Sequence, residues 1–519
     1  MKFINFTKSL RNRGMLLFSV ILSINIILRL IFIVYGYITT DEGIALYNAK
    51  LAYSGHIPFI DYNGWNSLLT DYLIGFSSLF TLPTIFSQRV IGFLIALIVL
   101  ILCLIISRTL GSGKQVLLTG LFLTFGSITY LYNSNIPYSS QIMSLFLILT
   151  IFCISKSLKS KRHILHWNSA AIMFAVINTA VRSQTIPILL LCWFYTLYRH
   201  RQNRNYLIKV TGIGLLTATC VYLPFLFKSV QLTLYALIWP FFSKKILIYV
   251  SDIPRYNLTN IIEFIILTIR DYGIFLIIIL SEILFTKTVT SKKNYLFSLF
   301  CRMIIFIYLL TALIHHPMDS SYLYPVVPLL SIMASNYVII TSQKISGVST
   351  RKFLYALLIF ILFSNFVAFP HYKFLKTSLS TIQKNPHDYV REISAFVENN
   401  TNIDDLIITF YLPVVAEINR SVPIRMNEGA GSLSILDTQS AQKYHLTSLE
   451  EFKDMIHNKR IAMIIYNDSY THYFGRTELQ RLEILNEIKK NYSLIKEFSE
   501  SNLSDGARTK SLYLYSLSK

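Results

Sequence analysis

Nine carboxylates stand in the first 370 residues of this 519-residue chain, and four of them, Asp41, Glu42, Asp61 and Asp71, lie in or beside one loop after the first long apolar segment. A charge at the edge of an apolar span is costly, so each of these acids needs a function or a partner. A carboxylate held ionised in such a position is available as a general base. Asp41 is the candidate base. Thr39-Thr40-Asp41-Glu42 also fits the S/T-x-x-E capping box, with Thr39 as N-cap and Glu42 as its N3 partner on a helix running to about Tyr53. Glu42 therefore reads equally as cap and as site residue. Asp41 falls in the first helical turn, where the helix dipole favours its ionised form. Adjacent side chains on a helix diverge, so one member of the pair faces a reaction. Asp61 is the second acid of interest, although Asp61-Tyr62-Asn63-Gly64 is also an ordinary turn sequence.

The elements that must hold these residues are set by composition. With 53% hydrophobic residues and mean hydropathy +0.50, the apolar residues come in long blocks that one soluble core could not bury. Candidate crossings start near 15, 88, 115, 137, 167, 184, 206, 270, 296, 322 and 352, about eleven transmembrane helices. The formal charge of +21 belongs entirely to residues 1–370, while 371–519 carry as many acids as bases. With a cytoplasmic N-terminus, the dense basic clusters all fall on one side, as positive-inside topology requires, and nucleic acid is excluded as a partner. This holds only if the apolar stretch from Leu68 to Phe86 does not cross but lies in the outer interface. The basic N-terminus precedes an apolar stretch too long for a signal peptide, which predicts a retained first helix. The five cysteines fit neither a zinc site nor a disulfide framework.

An odd number of crossings puts the tail outside. It reads as a small extracytoplasmic α/β domain: helices over about 386–399, Leu449–His457 and 477–491 alternate with strands at Asp405–Tyr411, Ile461–Tyr466 and 511–516. The expected division is a transmembrane catalytic domain, 1–370, and a soluble domain, 371–519, to which no motif gives an activity.

The order of apolar helix, Asp41-Glu42, short helix and Gly55-His56-Ile57-Pro58-Phe59-Ile60-Asp61 resembles the first outer loop of GT-C glycosyltransferases, particularly the protein O-mannosyltransferase and lipid A aminoarabinose transferase group. Arg182-Ser183-Gln184-Thr185 is similar to their Arg-x-x-Thr element, and Tyr322-Leu323-Tyr324-Pro325-Val326-Val327-Pro328 to their late Tyr-Leu-x-Pro-x-x-Pro helix start. The resemblance covers about residues 15–370. It implies a polytopic GT-C fold in the cell membrane, moving a sugar from a polyprenyl-phosphate donor to an extracytoplasmic glycan, lipid or protein acceptor with inversion. The chain departs from the family at Gly64-Trp65-Asn66-Ser67-Leu68, where many members have Lys-Pro-Pro or Gly-Pro-Leu; the family lysine is linked to the carrier phosphate and has no counterpart here.

A phosphate leaving group calls for cations or a divalent metal ion. Arg29, Arg89, Arg182 and Lys244-Lys245 are the candidates, with snorkelling to headgroups as the alternative for each. Arg182, between two segments and inside a family-like motif, is the best placed. His315 and His316, with His56, are candidate metal ligands. Tyr324 is a candidate substrate contact that helix-start geometry and interfacial anchoring would also explain. Transport of a lipid-linked glycan, or its polymerisation or ligation, is the alternative function. Transport would call for repeat symmetry and mid-bilayer acids on several helices; of the former the sequence shows none, and Glu263, Asp271 and Glu282 meet the latter in part.

Overall fold

The computed structural model describes residues 2–36, 38–64, 68–76, 84–111, 113–136, 138–160, 162–238, 258–285, 292–314, 320–344, 386–498 and 511–517, with isolated positions between 347 and 362. The membrane part is built from α1 (Lys2–Tyr35), α4 (Ile85–Leu110), α5 (Gly113–Phe125), α7 (Ser139–Lys159), α8 (Ile164–Val181), α9 (Ile186–Arg199), α10 (Arg204–Lys228), α12 (Leu258–Phe285), α13 (Lys292–Ile314) and α14 (Val327–Lys344). Short helices α2 (Thr40–Tyr53), α3 (Thr70–Gly75), α6 (Ile128–Asn133) and α11 (Val230–Ile238) lie between them. Seven segments among the described residues are long and apolar enough to cross a bilayer: Leu16–Tyr35, Ile85–Leu110, Ser139–Lys159, Ile164–Val181, Arg204–Lys228, Leu296–Leu313 and Tyr322–Gln343. They coincide with the crossings expected near 15, 88, 137, 167, 206, 296 and 322.

The segments expected near 115 and 184 are the shorter α5 and α9, and the one expected near 270 begins earlier, at Leu258. Hydropathy alone placed that start too late because Arg270 and Asp271 interrupt the apolar run, whereas in the fold Asp271 is buried and paired with its neighbour. The segment near 352 lies largely outside the described residues. Within the stretch from Leu68, the described helix is the six-residue α3, too short to cross. Large apolar side chains point outward from α1, α4, α9, α10 and α12, among them Leu16, Ile98, Phe194, Leu215 and Ile277. An apolar exterior of this kind is stable only in lipid. The chain is a multi-pass membrane protein.

The tail is α/β, with helices at Pro386–Asn399, Leu449–His457 and Glu478–Asn491. A four-stranded sheet has β1 (Ile407–Thr409) parallel to β4 (Met463–Asn467), which pairs antiparallel with β6 (Leu512–Leu517), itself antiparallel to β5 (Tyr492–Phe498). The two-residue strands β2 (Leu433–Ser434) and β3 (Thr447–Ser448) pair in parallel. All three predicted strands are present. β5 was not expected: it follows its helix without a break, and Ser493 to Glu497 are all exposed on a strand that lies at the edge of the sheet.

The tail is docked on α2. Ile38, Leu46, Tyr47 and Ile85 belong to the same buried cluster as Val390, Ile408, Leu412 and Ile464 of the tail. Lys50 Nζ donates to the Ile418 carbonyl at 2.7 Å, and the Tyr47 hydroxyl accepts from Val422 N at 2.8 Å. His387 Nε2 lies 3.0 Å from the carbonyl oxygen of Ile33 at the end of α1. Burial, and then the charge of Arg89, push the His387 pKa down to about 4, so its neutral imidazole donates this bond. Gly43 is where the two surfaces meet most closely: a Cβ there would lie 2.2 Å from Pro413 N.

Gly43→Ala therefore forces the tail outward. Despite an intrinsic helix gain of ~1 kcal/mol, it is expected to destabilise by ~1–3 kcal/mol, read as a lower melting temperature and faster protease cleavage of the tail in detergent. An unchanged melting temperature would show that the contact is loose.

Candidate active site

The site is organised by the turn between α1 and α2. Thr39 is the N-cap of α2: its hydroxyl accepts from Glu42 N at 3.2 Å, and Glu42 Oε1 accepts from Thr39 N at 3.2 Å. The capping box is thus present. Glu42 is also buried and forms a bidentate pair with Arg89 of α4: Nε donates to Oε2 at 2.7 Å and Nη2 to Oε1 at 2.8 Å. The remaining arm, Arg89 Nη1, donates to the carbonyls of Gly36 (2.8 Å), Ile33 (3.3 Å) and Phe32 (3.4 Å). These belong to the C-terminal end of α1, whose last carbonyls lack helical partners and carry its negative pole. One guanidinium therefore closes the end of α1 while holding the start of α2. Arg89 and Glu42 are engaged with each other and with backbone, and Asp41, the residue before Glu42, is exposed.

Two phenols feel the Asp41 charge. Tyr138 and Tyr473 both lie within its electrostatic reach, and both have their pKa raised, first by burial and then by the Asp41 charge. The Tyr138 hydroxyl is 2.6 Å from the Thr39 hydroxyl, and the Thr40 hydroxyl is 2.5 Å from that of Tyr470 in the tail. The residue after Tyr138 carries the thread onward: Ser139 Oγ, at the start of α7, accepts from Arg182 Nη1 at 3.0 Å. Arg182 is half-buried, with its guanidinium 5.0 Å over the Tyr322 ring. In the Arg-Ser-Gln-Thr motif, Thr185 donates to the Arg182 carbonyl from both its hydroxyl (2.9 Å) and its amide (3.1 Å), fixing the turn that carries the arginine.

Tyr324 continues this wall, its hydroxyl accepting from Asn133 Nδ2 at 2.8 Å and its ring 6.3 Å from that of Tyr272. Arg270, half-exposed on α12 and bidentate to buried Asp271, lies within electrostatic reach of Tyr324. Sequence reading passed over Arg270; its one signal was a cation beside an acid within an apolar run. Arg182 and Arg270 thus stand near Tyr322 and Tyr324, two residues of one 3-10 turn (Ser320–Val326).

Other candidates fall elsewhere. Asp61 closes a turn, its Oδ2 accepting from Ile57 N at 2.6 Å, around Phe59 with φ of 64°. Arg29 is buried in α1, donating to Asn25 Oδ1 at 2.9 Å and Asn135 Oδ1 at 3.2 Å. His56 is half-buried in the first loop. Lys244, Lys245, His315 and His316 lie outside the described residues. Among the described residues no group of three or more His, Cys, Asp or Glu could hold a metal ion.

Asp71, also in the first loop, is completely buried; its Oδ2 accepts from the Tyr62 hydroxyl at 2.8 Å, and its Oδ1 has no hydrogen-bond partner among the described residues. Burial pushes its pKa up to about 7 against the opposing Tyr62 bond. The same hydroxyl lies 3.2 Å from the Asn48 carbonyl, and Asn48 Oδ1 accepts from Asn427 Nδ2 of the tail at 2.8 Å.

Membrane helices, a docked α/β tail and a carboxylate on the turn after the first crossing make up a fold that can be compared with solved structures. No protein-family model matches the chain, and no curated protein matches it in sequence. Among solved structures, ArnT from Cupriavidus metallidurans bound to undecaprenyl phosphate is similar over 96% of this chain and 97% of its own, with TM-score 0.58 and 12% identity. The apo oligosaccharyltransferase of Archaeoglobus fulgidus is similar over 96% of this chain and 74% of its own, with TM-score 0.51 and 10% identity. The same enzyme in complex with Zn and sulfate covers 92% and 72%, with TM-score 0.51 and 11% identity. The likeness is one of fold.

Two stability measurements check this geometry. Arg89→Met leaves the Glu42 carboxylate buried alone and is expected to cost ~3–5 kcal/mol, whereas Arg89→Met with Glu42→Leu recovers much of the loss; equal melting temperatures for single and double variants would contradict the pairing. Asp71, whose folded pKa is raised, favours folding at low pH, and its contribution is lost as pH rises from its ordinary 3.8 through about 7. Asp71→Asn should therefore raise the melting temperature at pH 8 and flatten its pH dependence between 4 and 7; a drop at pH 8 would show that the ionised form is the native one.

Proposed function

We propose that the chain is a glycosyltransferase that moves a sugar from a polyprenyl-phosphate donor to an acceptor hydroxyl on the extracytoplasmic face, with inversion and with Asp41 as general base. The observation that carries this reading is the short connection between the candidate base and the candidate phosphate cation: Tyr138 holds the Asp41 turn, and the next residue, Ser139, holds Arg182. An in-line displacement needs a base on one side of the anomeric carbon and a charge-stabilising group on the other. The exposed Asp41 carboxylate would take the acceptor proton, and Arg182, with Arg270, would neutralise the departing phosphate. These arginines supply a cationic site for the carrier phosphate although the family's loop lysine is missing. That one solved structure of similar fold is bound to undecaprenyl phosphate supports the donor class.

A lipid donor accounts for a catalytic part embedded in the membrane, and the basic clusters of the connecting loops support a cell-membrane topology with Asp41 and the docked tail outside. In the division into a 1–370 catalytic domain and a 371–519 soluble domain, the tail rests on α2 and helps fix the Asp41 turn. Glu42 and Arg89 act as positioning residues.

The test is transfer of radiolabelled sugar from a panel of polyprenyl-phosphate sugars in membranes containing the full chain. Asp41→Asn is expected to lower turnover by ~10²–10⁴-fold with an unchanged melting temperature, and Arg182→Gln by ~10²–10³-fold. Full activity of Asp41→Asn would remove it as base, and no transfer by wild type from any donor would overturn the reading.

A further inference from the structure

One stretch of chain touches three parts of the candidate site. From the end of α6 to the start of α7, Asn133 Nδ2 donates to the Tyr324 hydroxyl at 2.8 Å, the Tyr138 hydroxyl lies 2.6 Å from that of Thr39, and Ser139 Oγ accepts from Arg182 at 3.0 Å. Where this stretch lies therefore sets the distance from the Asp41 turn to Arg182. Two elements fix it. On α4, a Cβ at Gly92 would run into the Asn135 carbonyl, so that helix packs directly on the α6–α7 turn. From α1, Arg29 Nη1 donates to Ser134 Oγ, to Asn135 Oδ1 at 3.2 Å and to the Leu131 carbonyl at 3.5 Å. The same carbonyl accepts from Ser134 Oγ and Asn135 Nδ2, both at 3.1 Å, so Arg29 grips the point on which the turn closes.

With its Nε, Arg29 stays on its own helix: it donates to Asn25 Oδ1 at 2.9 Å, and Asn25 Nδ2 donates to Thr124 Oγ1 of α5 at 3.1 Å. Arg29 is buried, and among the described residues no carboxylate pairs with it. A cation in an apolar span without a counter-charge is costly, and Leu or Met would pack there without that cost. What Arg supplies is a planar fork whose nitrogens reach two elements at once; Lys, with one nitrogen on a flexible stem, does not. The hydroxyl contact of Tyr138 with Thr39 carries the position of the turn to the start of α2, and the bond between Ser139 and Arg182 carries it to the cation. Under the function proposed above, on which this rests, we infer that Arg29 is a positioning residue for sugar transfer. From inside the membrane part it locks the α6–α7 turn, and with it the alignment of Asp41 and Arg182.

Two variants disturb the turn from different sides: Arg29→Lys, which keeps the charge, and Gly92→Ala, which keeps Arg29 and pushes on Asn135. Both are made in the full chain in detergent, alone and combined with Tyr138→Phe and Ser139→Ala, which cut the links to Thr39 and Arg182. In the transfer assay each alone is expected to lower kcat ~10²-fold, with donor KM changed about threefold at most. In the background lacking both links, neither lowers kcat further by more than about twofold, since the path through the turn is already broken. By hydrogen-exchange mass spectrometry, the amides of the turn and of residues 39–42 exchange about tenfold faster in both variants, while those of β4 and β6 are unchanged. A merely stabilising arginine would instead lower the melting temperature with kcat per folded molecule intact, or its effect on kcat would multiply with the loss of the two links. Either result, or unchanged exchange at residues 39–42, overturns the positioning role. If wild type transfers no sugar, the glycosyltransferase reading falls, and exchange at residues 39–42 alone decides whether Arg29 holds the turn.

Discussion

The buried pair between Glu42 and Arg89 is the constraint on which the rest of the site depends. Two charges removed from water are costly unless each is fully hydrogen-bonded. Here the carboxylate receives two arginine donors and caps α2, while the third arm of the guanidinium donates to carbonyls at the end of α1. Three elements meet at one side-chain pair, so the direction in which the chain leaves the membrane after α1 is fixed. Asp41 is carried on that turn. Its neighbour's burial explains its own exposure, because adjacent residues in a first helical turn face different ways.

Around this turn, two surfaces meet. From the membrane part come Tyr138 and Ser139, which tie the turn to Arg182, and the tyrosines at 322 and 324 beside Arg182 and Arg270. From the tail come Tyr470 and Tyr473, brought in because the tail core includes Leu46 and Tyr47 of α2. The tail is thus packed into the first outer loop, with Gly43 permitting the closest approach. A carboxylate between an arginine-bearing membrane surface and an aromatic tail surface is the arrangement expected where a lipid-linked anion meets a water-borne hydroxyl.

How much of this could be read in advance varied with the range of the interaction. The capping box was legible because Thr39 and Glu42 are three residues apart and their types specify the contact. The Arg89 partner of Glu42 was not, since 47 residues separate them and only the fold brings them together. Hydropathy blocks located most membrane helices, yet misplaced the start of α12, where Arg270 and Asp271 neutralise each other inside an otherwise apolar segment. The same pair hid Arg270 from the list of cations. In the tail, buried runs such as IAMIIY announced their strands, whereas β5 is exposed from Ser493 to Glu497 and has no buried apolar run. Asp61 read as a turn and is one. Asp71 gave no local signal of its complete burial, because Tyr62, which covers it, is itself a loop residue.

The most direct measurement is a structure of the full chain with undecaprenyl phosphate bound. The account predicts the phosphate within hydrogen-bonding distance of Arg182 or Arg270, separated from the Asp41 carboxylate by roughly the width of one sugar ring, with the Glu42 to Arg89 pair intact. A phosphate bound away from both arginines, or too far from Asp41 for a single sugar to bridge the two, would contradict it.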